Sequence, residues 1–154
     1  MIRSGRDMLV NEPGETIVLN RHQVWLGLEM KAMNAVPFVP SITECKVVEE
    51  WEGGLLREIV NAGERLQEAI TKLPERIIHF RRISELTPGD IFNELYFNDD
   101  GQLTLTFTFA LDLPGITAGT EEAKQFSDEL EDAYIKALQT TIEHIRMLPQ
   151  KGEI

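Results

Sequence analysis

Cysteine is almost missing from this chain. Cys45 is the only one in 154 residues, so no intrachain disulfide can form and a reducing compartment, the cytoplasm, is the expected setting. Histidine is nearly as scarce. His22, His79 and His144 are the whole set, with no His-Glu-x-x-His, no paired cysteines and no two histidines spaced for one face, which excludes a zinc site of ordinary spacing. A glycine-rich phosphate loop is also lacking, since Gly53-Gly54 has neither the spacing nor the Lys-Ser/Thr that must follow. No metal and no cofactor is therefore expected. Basic residues are outnumbered, 15 Lys and Arg against 26 Asp and Glu for a net charge of -11. That balance argues against nucleic acid or an anionic membrane as a partner. No apolar run reaches the roughly 20 residues that would cross a bilayer, so membrane insertion is not expected. The opening MIRSGRDMLV has no apolar centre and no small-residue cleavage pattern, so it does not read as a secretory signal. Residues 1–8 read instead as a leader frayed from the fold.

What is present is an ordinary globular share of apolar residues, 42%, in a chain of one-domain size, 1–154. The longest helical signal runs from Thr120 to Leu148. Thr120 is the expected N-cap, with Glu121 and Glu122 at the positive end of the dipole. Phe126, Leu130, Ala133, Tyr134, Ala137, Leu138, Thr141, Ile145 and Leu148 recur at three- and four-residue spacing and share one broad face. Pro149 and Gly152 stop the helix. A shorter helix is predicted over Arg21–Asn34, capped by Asn20 and ended by Pro37 and Pro40, with Val24, Trp25, Leu28 and Ala32 at helical spacing.

Between the two helices the period changes to that of strands. Strand candidates are ECKVVEEW, LLREIVNAG, ERLQEAITK, RIIHFRRI and DIFNELYF, separated by Gly53-Gly54, Gly63, Pro74-Glu75 and Pro88-Gly89. Before the first helix, Leu9-Val10 and Thr16–Leu19 read as short extended pieces. The cleanest strand is LTLTFTFAL. Leu103, Leu105, Phe107, Phe109 and Leu111 point one way and the threonines the other. Its apolar face needs a partner of equal length, and the closing helix is the only one; each buried side chain contributes about 1.5–3 kcal/mol before entropy. Pro114-Gly115 and Gly119 form the link between them. The expected class is α+β, a curved antiparallel meander wrapped around a long C-terminal helix, with a short helical region after the first strand. A sheet bent around a helix cannot pack flat against it, and the gap is a natural ligand cavity.

This order of elements resembles the helix-grip fold of the SRPBCC superfamily, which includes START lipid-transfer domains, pollen-allergen-like proteins and aromatase/cyclase domains. More narrowly it is similar to the AtaL-like family, through RHQVWLGLEMKA, PFVPSITECKVVEEWEGGLLREI, GERLQE and LTFTFALDLPG, over roughly Leu9–Leu148. The resemblance implies an apolar small molecule in the cavity and supplies no catalytic residue.

Phe38, Phe107, Phe109, Leu130, Tyr134 and Leu138 are the candidate pocket lining, being on the prolyl loop, the best strand's inner face and the facing helix. The Tyr134 hydroxyl is placed to orient a ligand. Charges inside the strands have two readings. The simpler is cross-strand ion pairing on the solvated face. The other is convergence in the cavity, with Arg57, Glu68 and His79 as the polar pocket groups able to do acid/base work. Arg81-Arg82 reads as a surface pair, Glu143-His144 as a solvated pair and Cys45 as a structural thiol. A binding protein for a hydrophobic small molecule is the leading expectation. A cyclase or dehydratase acting on a polyketide-like or aromatic substrate is the alternative, and a non-catalytic interaction module the third. A polar cluster inside the cavity with shifted pKa values would favour the enzyme.

Overall fold

The computed structural model describes residues 1–113 and 115–154. Strand β1 (Ile2–Leu9) is followed by helix α1 (Arg21–Met33). Six strands come next: β2 (Ile42–Trp51), β3 (Gly54–Asn61), β4 (Glu64–Leu73), β5 (Ile77–Ile83), β6 (Gly89–Phe97) and β7 (Leu103–Leu111). Helix α2 (Glu121–Met147) closes the chain, and Pro149–Lys151 adds a single tight turn. Pro114, half of the expected Pro114-Gly115 link, lies outside the described residues.

The strands form one seven-stranded antiparallel sheet in the order β1-β7-β6-β5-β4-β3-β2. The run from β2 to β7 is the expected meander, curved around α2. At the β3–β4 hairpin both Ala62 (φ 49°) and Gly63 (φ 84°) are left-handed. A two-residue turn matched to the strand twist requires this, and it costs nothing only at the glycine.

The N-terminus corrects the sequence reading. Residues 1–8 are not frayed: Ile2–Leu9 pairs with β7 in register from Ile2↔Leu111 to Leu9↔Thr104. Pairing there covers an edge of β7 that would otherwise stay open. The strand was hard to see because its helix-facing side carries polar groups. Ser4 and Arg6 donate to the Glu131 carboxylate on α2, and only Ile2 on this face is fully buried. Thr16–Leu19 is not a strand. Side chains satisfy its backbone instead: Asn11 exchanges two bonds with Leu19 (2.8 and 2.9 Å), and Arg146 donates to the Ile17 carbonyl at 2.6 Å.

Both helices start as expected. The Asn20 side chain accepts from Gln23 N while Gln23 reaches back to the Asn20 N–H, a full capping box. Thr120 accepts from Ala123 N. The five apolar residues of β7 named above are all buried. They meet α2 through Tyr134, whose ring lies 5.6 Å from Phe107 and 5.4 Å from Phe109 between centroids.

Burial along α2 is uneven. Leu138, Thr141, Ile142, Ile145 and Leu148 are buried, whereas Phe126, Leu130, Tyr134 and Ala137 are only half-buried. The last turns are seated partly by Gly27 of α1, where a Cβ would sit 2.4 Å from Ile145 Cγ1. Gly27→Ala is therefore expected to cost about 1–3 kcal/mol through overpacking. A shift of the urea midpoint would report it, and an unchanged midpoint would show that Ile145 has room to yield.

Candidate functional site

The half-buried middle of α2 stands over a cavity of about 310 Å³. Leu130, Ala133, Tyr134, Ala137 and Leu138 form one wall; Phe80, Ile91 and Phe107 of the sheet face them, and Val39, Ile42 and Leu66 stand at the side. Most of this lining is apolar. Its polar part is concentrated where β3, β4 and β5 meet the C-terminal turn of α1.

Register explains that concentration. On β3, Arg57 falls between the buried Leu55 and Ile59; on β4, Glu68 falls between Leu66 and Ile70; on β5, Arg82 follows Ile78 and Phe80. Alternation turns all of these inward. The strands pair Arg57 with Glu68 and Glu68 with Arg82, so the three stand in one row across the sheet. The row ends at Gly89, opposite Arg82, which contributes no side chain.

Arg57 is 2% exposed and Glu68 3%. Arg57 Nε and Nη2 donate to Glu68 Oε1 at 3.1 and 2.7 Å. Arg57 Nη1 donates to the carbonyls of Lys31 and Ala32, at 2.9 and 3.1 Å, where the negative end of the α1 dipole welcomes a cation. All three nitrogens of Arg57 thus have partners, and the residue is a strut between sheet and helix.

Arg82 is held differently. It is 8% exposed, with a long contact from Nη1 to Thr87 Oγ1 at 3.5 Å and the Tyr134 hydroxyl beside its guanidinium. Its Nε lies 3.6 Å from Glu68 Oε2 and has no hydrogen-bond partner among the described residues. Lys31 enters the same space from α1, also 8% exposed. Its Nζ donates to Asn93 Oδ1 at 3.1 Å and stands 5.5 Å from the Phe80 ring centroid. Burial, then the nearby Arg57 charge, lower the Lys31 pKa to about 8 against the opposing pull of Glu68. Burial also raises the Tyr134 phenol above its ordinary value. Such a floor can hold an anionic oxygen, and a lysine that parts with its proton near neutrality can move one.

The structure brings together Phe107, Leu130, Tyr134, Leu138, Arg57 and Glu68 from the sequence candidates. Phe38 and Phe109 are buried but do not line the cavity. Phe38 packs edge-on against His144 at 4.6 Å, which leaves His144 half-buried rather than solvated. Phe109 stands behind Tyr134. His79 is not a pocket group: it points to the opposite face of β5, stacked on Phe92 and 2.6 Å from Asp90 Oδ1. Arg82, read as a surface residue beside Arg81, is the one turned in. Both readings of the strand charges are realised, on opposite faces, since Arg65 makes solvated bridges to Glu58 and Glu44, each at 2.8 Å. The sequence reasoning missed Lys31 and Arg82; Asn93, one of the strand polar residues that could turn inward, does line the cavity. Lys31 follows Val24 and Leu28 at helical spacing and so stands in the apolar stripe of α1. Asn93 alternates with Ile91 and Leu95.

A curved antiparallel sheet closing on a C-terminal helix over a cavity defines the helix-grip fold. Solved structures share the fold. The Zhui aromatase/cyclase from Streptomyces sp. R1128 superposes with a TM-score of 0.68 at 18% identity, covering 95% of this chain and 94% of that one. XoxI from Bacillus cereus gives a TM-score of 0.68 at 14% identity, covering 97% and 99%. The di-domain ARO/CYC StfQ from the steffimycin biosynthetic pathway gives 0.67 at 11% identity, covering 92% of this chain and 50% of that one. At such identities the likeness is one of fold. No curated protein matches the chain. The family profile of AtaL, described as acetylaranotin biosynthesis cluster protein L, matches residues 8–152, and the chain belongs to that family.

Proposed function

We propose that this protein binds a small, largely apolar molecule in the cavity between α2 and the sheet. The observation that supports this best is the cavity itself, about 310 Å³ of space walled mainly by aliphatic and aromatic side chains. That is the low end of the size that small-molecule sites occupy. It also speaks against a filled core serving only as an interaction module. Native mass spectrometry of the purified protein, followed by uptake of a fluorescent apolar dye, tests the reading. Leu130→Trp fills the space beside Tyr134 and is expected to abolish uptake while far-ultraviolet circular dichroism stays unchanged. Undiminished uptake would refute the pocket.

A second reading has its own support. Lys31 and Arg82 on the cavity floor, with the Lys31 pKa lowered to about 8, suit a cyclase- or dehydratase-type reaction on an aromatic or polyketide-like substrate. Lys31 would move the proton, and Arg82 would face a developing oxyanion. Loss of turnover with retained uptake of the apolar dye in Lys31→Met separates catalysis from occupancy of the cavity. A cytoplasmic location suits the free thiol of Cys45.

A further inference from the structure

We infer that the molecule this cavity takes is a singly charged carboxylic acid on an apolar body, its carboxylate seated between Lys31 and Arg82. The inference rests on the binding reading above and names the chemical class of the ligand.

Charge counting comes first. Cations from α1, β3 and β5 enter the cavity as Lys31, Arg57 and Arg82, while the deeply buried carboxylate is Glu68 alone. Glu64 also lines the space but is only half-buried, and its carboxylate accepts from Ser84 Oγ at 2.5 Å. A buried positive excess of this kind, inside a protein of net charge -11, is unfavourable unless something anionic completes it.

Donor counting comes second. The fork of Arg57 is taken up by Glu68 and by the helix carbonyls. Arg82 Nε is buried without a hydrogen-bond partner among the described residues, and buried polar atoms left this way in a native fold ask for an explanation. Lys31 spends one donor on Asn93 and, as an ammonium, has three. Lys31, with donors to spare, and the guanidinium of Arg82, whose hold on Glu68 is loose at 3.6 Å, both line this space, and a carboxylate has the lone pairs for both. A doubly charged phosphate fits less well, because Glu68 Oε2 is already 3.6 Å from Arg82 Nε and would repel the second charge. The apolar walls of Leu130, Tyr134 and Phe107 then take the body of the molecule.

Two probes of nearly equal shape test this without any mutation. 2-Naphthoate and 2-naphthamide are titrated calorimetrically into the wild-type protein near neutral pH. The acid is expected to bind about 10- to 100-fold more tightly, the usual worth of hydrogen bonds to a charged group. In Arg82→Gln and in Lys31→Met the preference should shrink to about threefold or less, the acid losing more affinity than the amide. Equal binding of acid and amide to the wild type overturns the carboxylate assignment and leaves the apolar cavity standing. Binding of neither probe overturns both. A preference that survives in both variants shows the carboxylate to sit elsewhere and overturns the seat.

Discussion

Glu68→Ala is expected to destabilise the protein by about 3–5 kcal/mol, the cost of breaking a buried ion pair from one side. Glu68 is the sole carboxylate between Arg57 and Arg82, and all three side chains are at least nine-tenths buried. Removing it leaves the two guanidinium groups beside Lys31 with no negative charge at close range. Arg57 cannot turn to water, because its Nη1 is tied to the α1 carbonyls. Urea unfolding monitored by tryptophan fluorescence measures the loss. Glu68→Gln keeps an acceptor and should cost less. Replacing the row together, as Arg57→Met, Glu68→Leu and Arg82→Met, should cost less than Glu68→Ala alone, since no charge is then stranded. A single variant milder than the triple would mean that water reaches the row.

Lys31→Met is expected to work in the opposite direction and to stabilise the fold near neutral pH. The folded-state pKa of Lys31, about 8, lies below its ordinary 10.5. Between those values the unfolded chain binds more protons than the folded one, so this group makes stability rise with pH across that window. Below the folded pKa the penalty for holding a buried ammonium is present in full. The difference of 10.5 and 8 corresponds to roughly 3 kcal/mol. Methionine removes that penalty but leaves Asn93 without its partner, at about 1 kcal/mol. A net gain of about 2 kcal/mol remains, or about 4–8 °C in Tm for a chain of this size. The gain should fade as pH rises, reach zero below 10.5 and turn into a loss of about 1 kcal/mol above it, where only the orphaned Asn93 remains. A Tm series for both proteins from neutral to strongly alkaline pH checks the sign and the window. Equal Tm values at neutral pH would mean that Lys31 is better solvated than its burial implies. A cation that costs stability when the site is empty is the counterpart of one that attracts a negative ligand when it fills.

Much of this architecture was legible because it depends on local rules. Asn20 and Thr120 cap helices through their own side chains, and LTLTFTFAL alternates along its length save at Ala110. Turn residues marked the hairpins of the meander, so the antiparallel order followed. The apolar half of the cavity followed too, from the stripe on α2. The polar half depends on the phase of alternation, which some strands conceal. On β5, Ile77 and Ile83 lie on one face and Ile78 and Phe80 on the other, so the pattern alone assigns neither His79 nor Arg82 to the inside. The structure puts Arg82 inside because β5 pairs with a β4 whose own phase is clear. Lys31 was hidden for another reason. A lysine within an apolar stripe ordinarily reaches for solvent, and this one is kept in by Asn93, 62 residues away.

The pairing of β1 with β7 sets an order of events during synthesis. Ile2 finds Leu111 only after β2 to β7 have all been made, so β1 precedes its partner and is among the last strands to dock. Closing so long a loop is slow compared with zipping the adjacent hairpins of β2 to β7. Until β7 exists, the segment IRSGRDML waits in water, and its charges discourage it from pairing with a neighbouring chain.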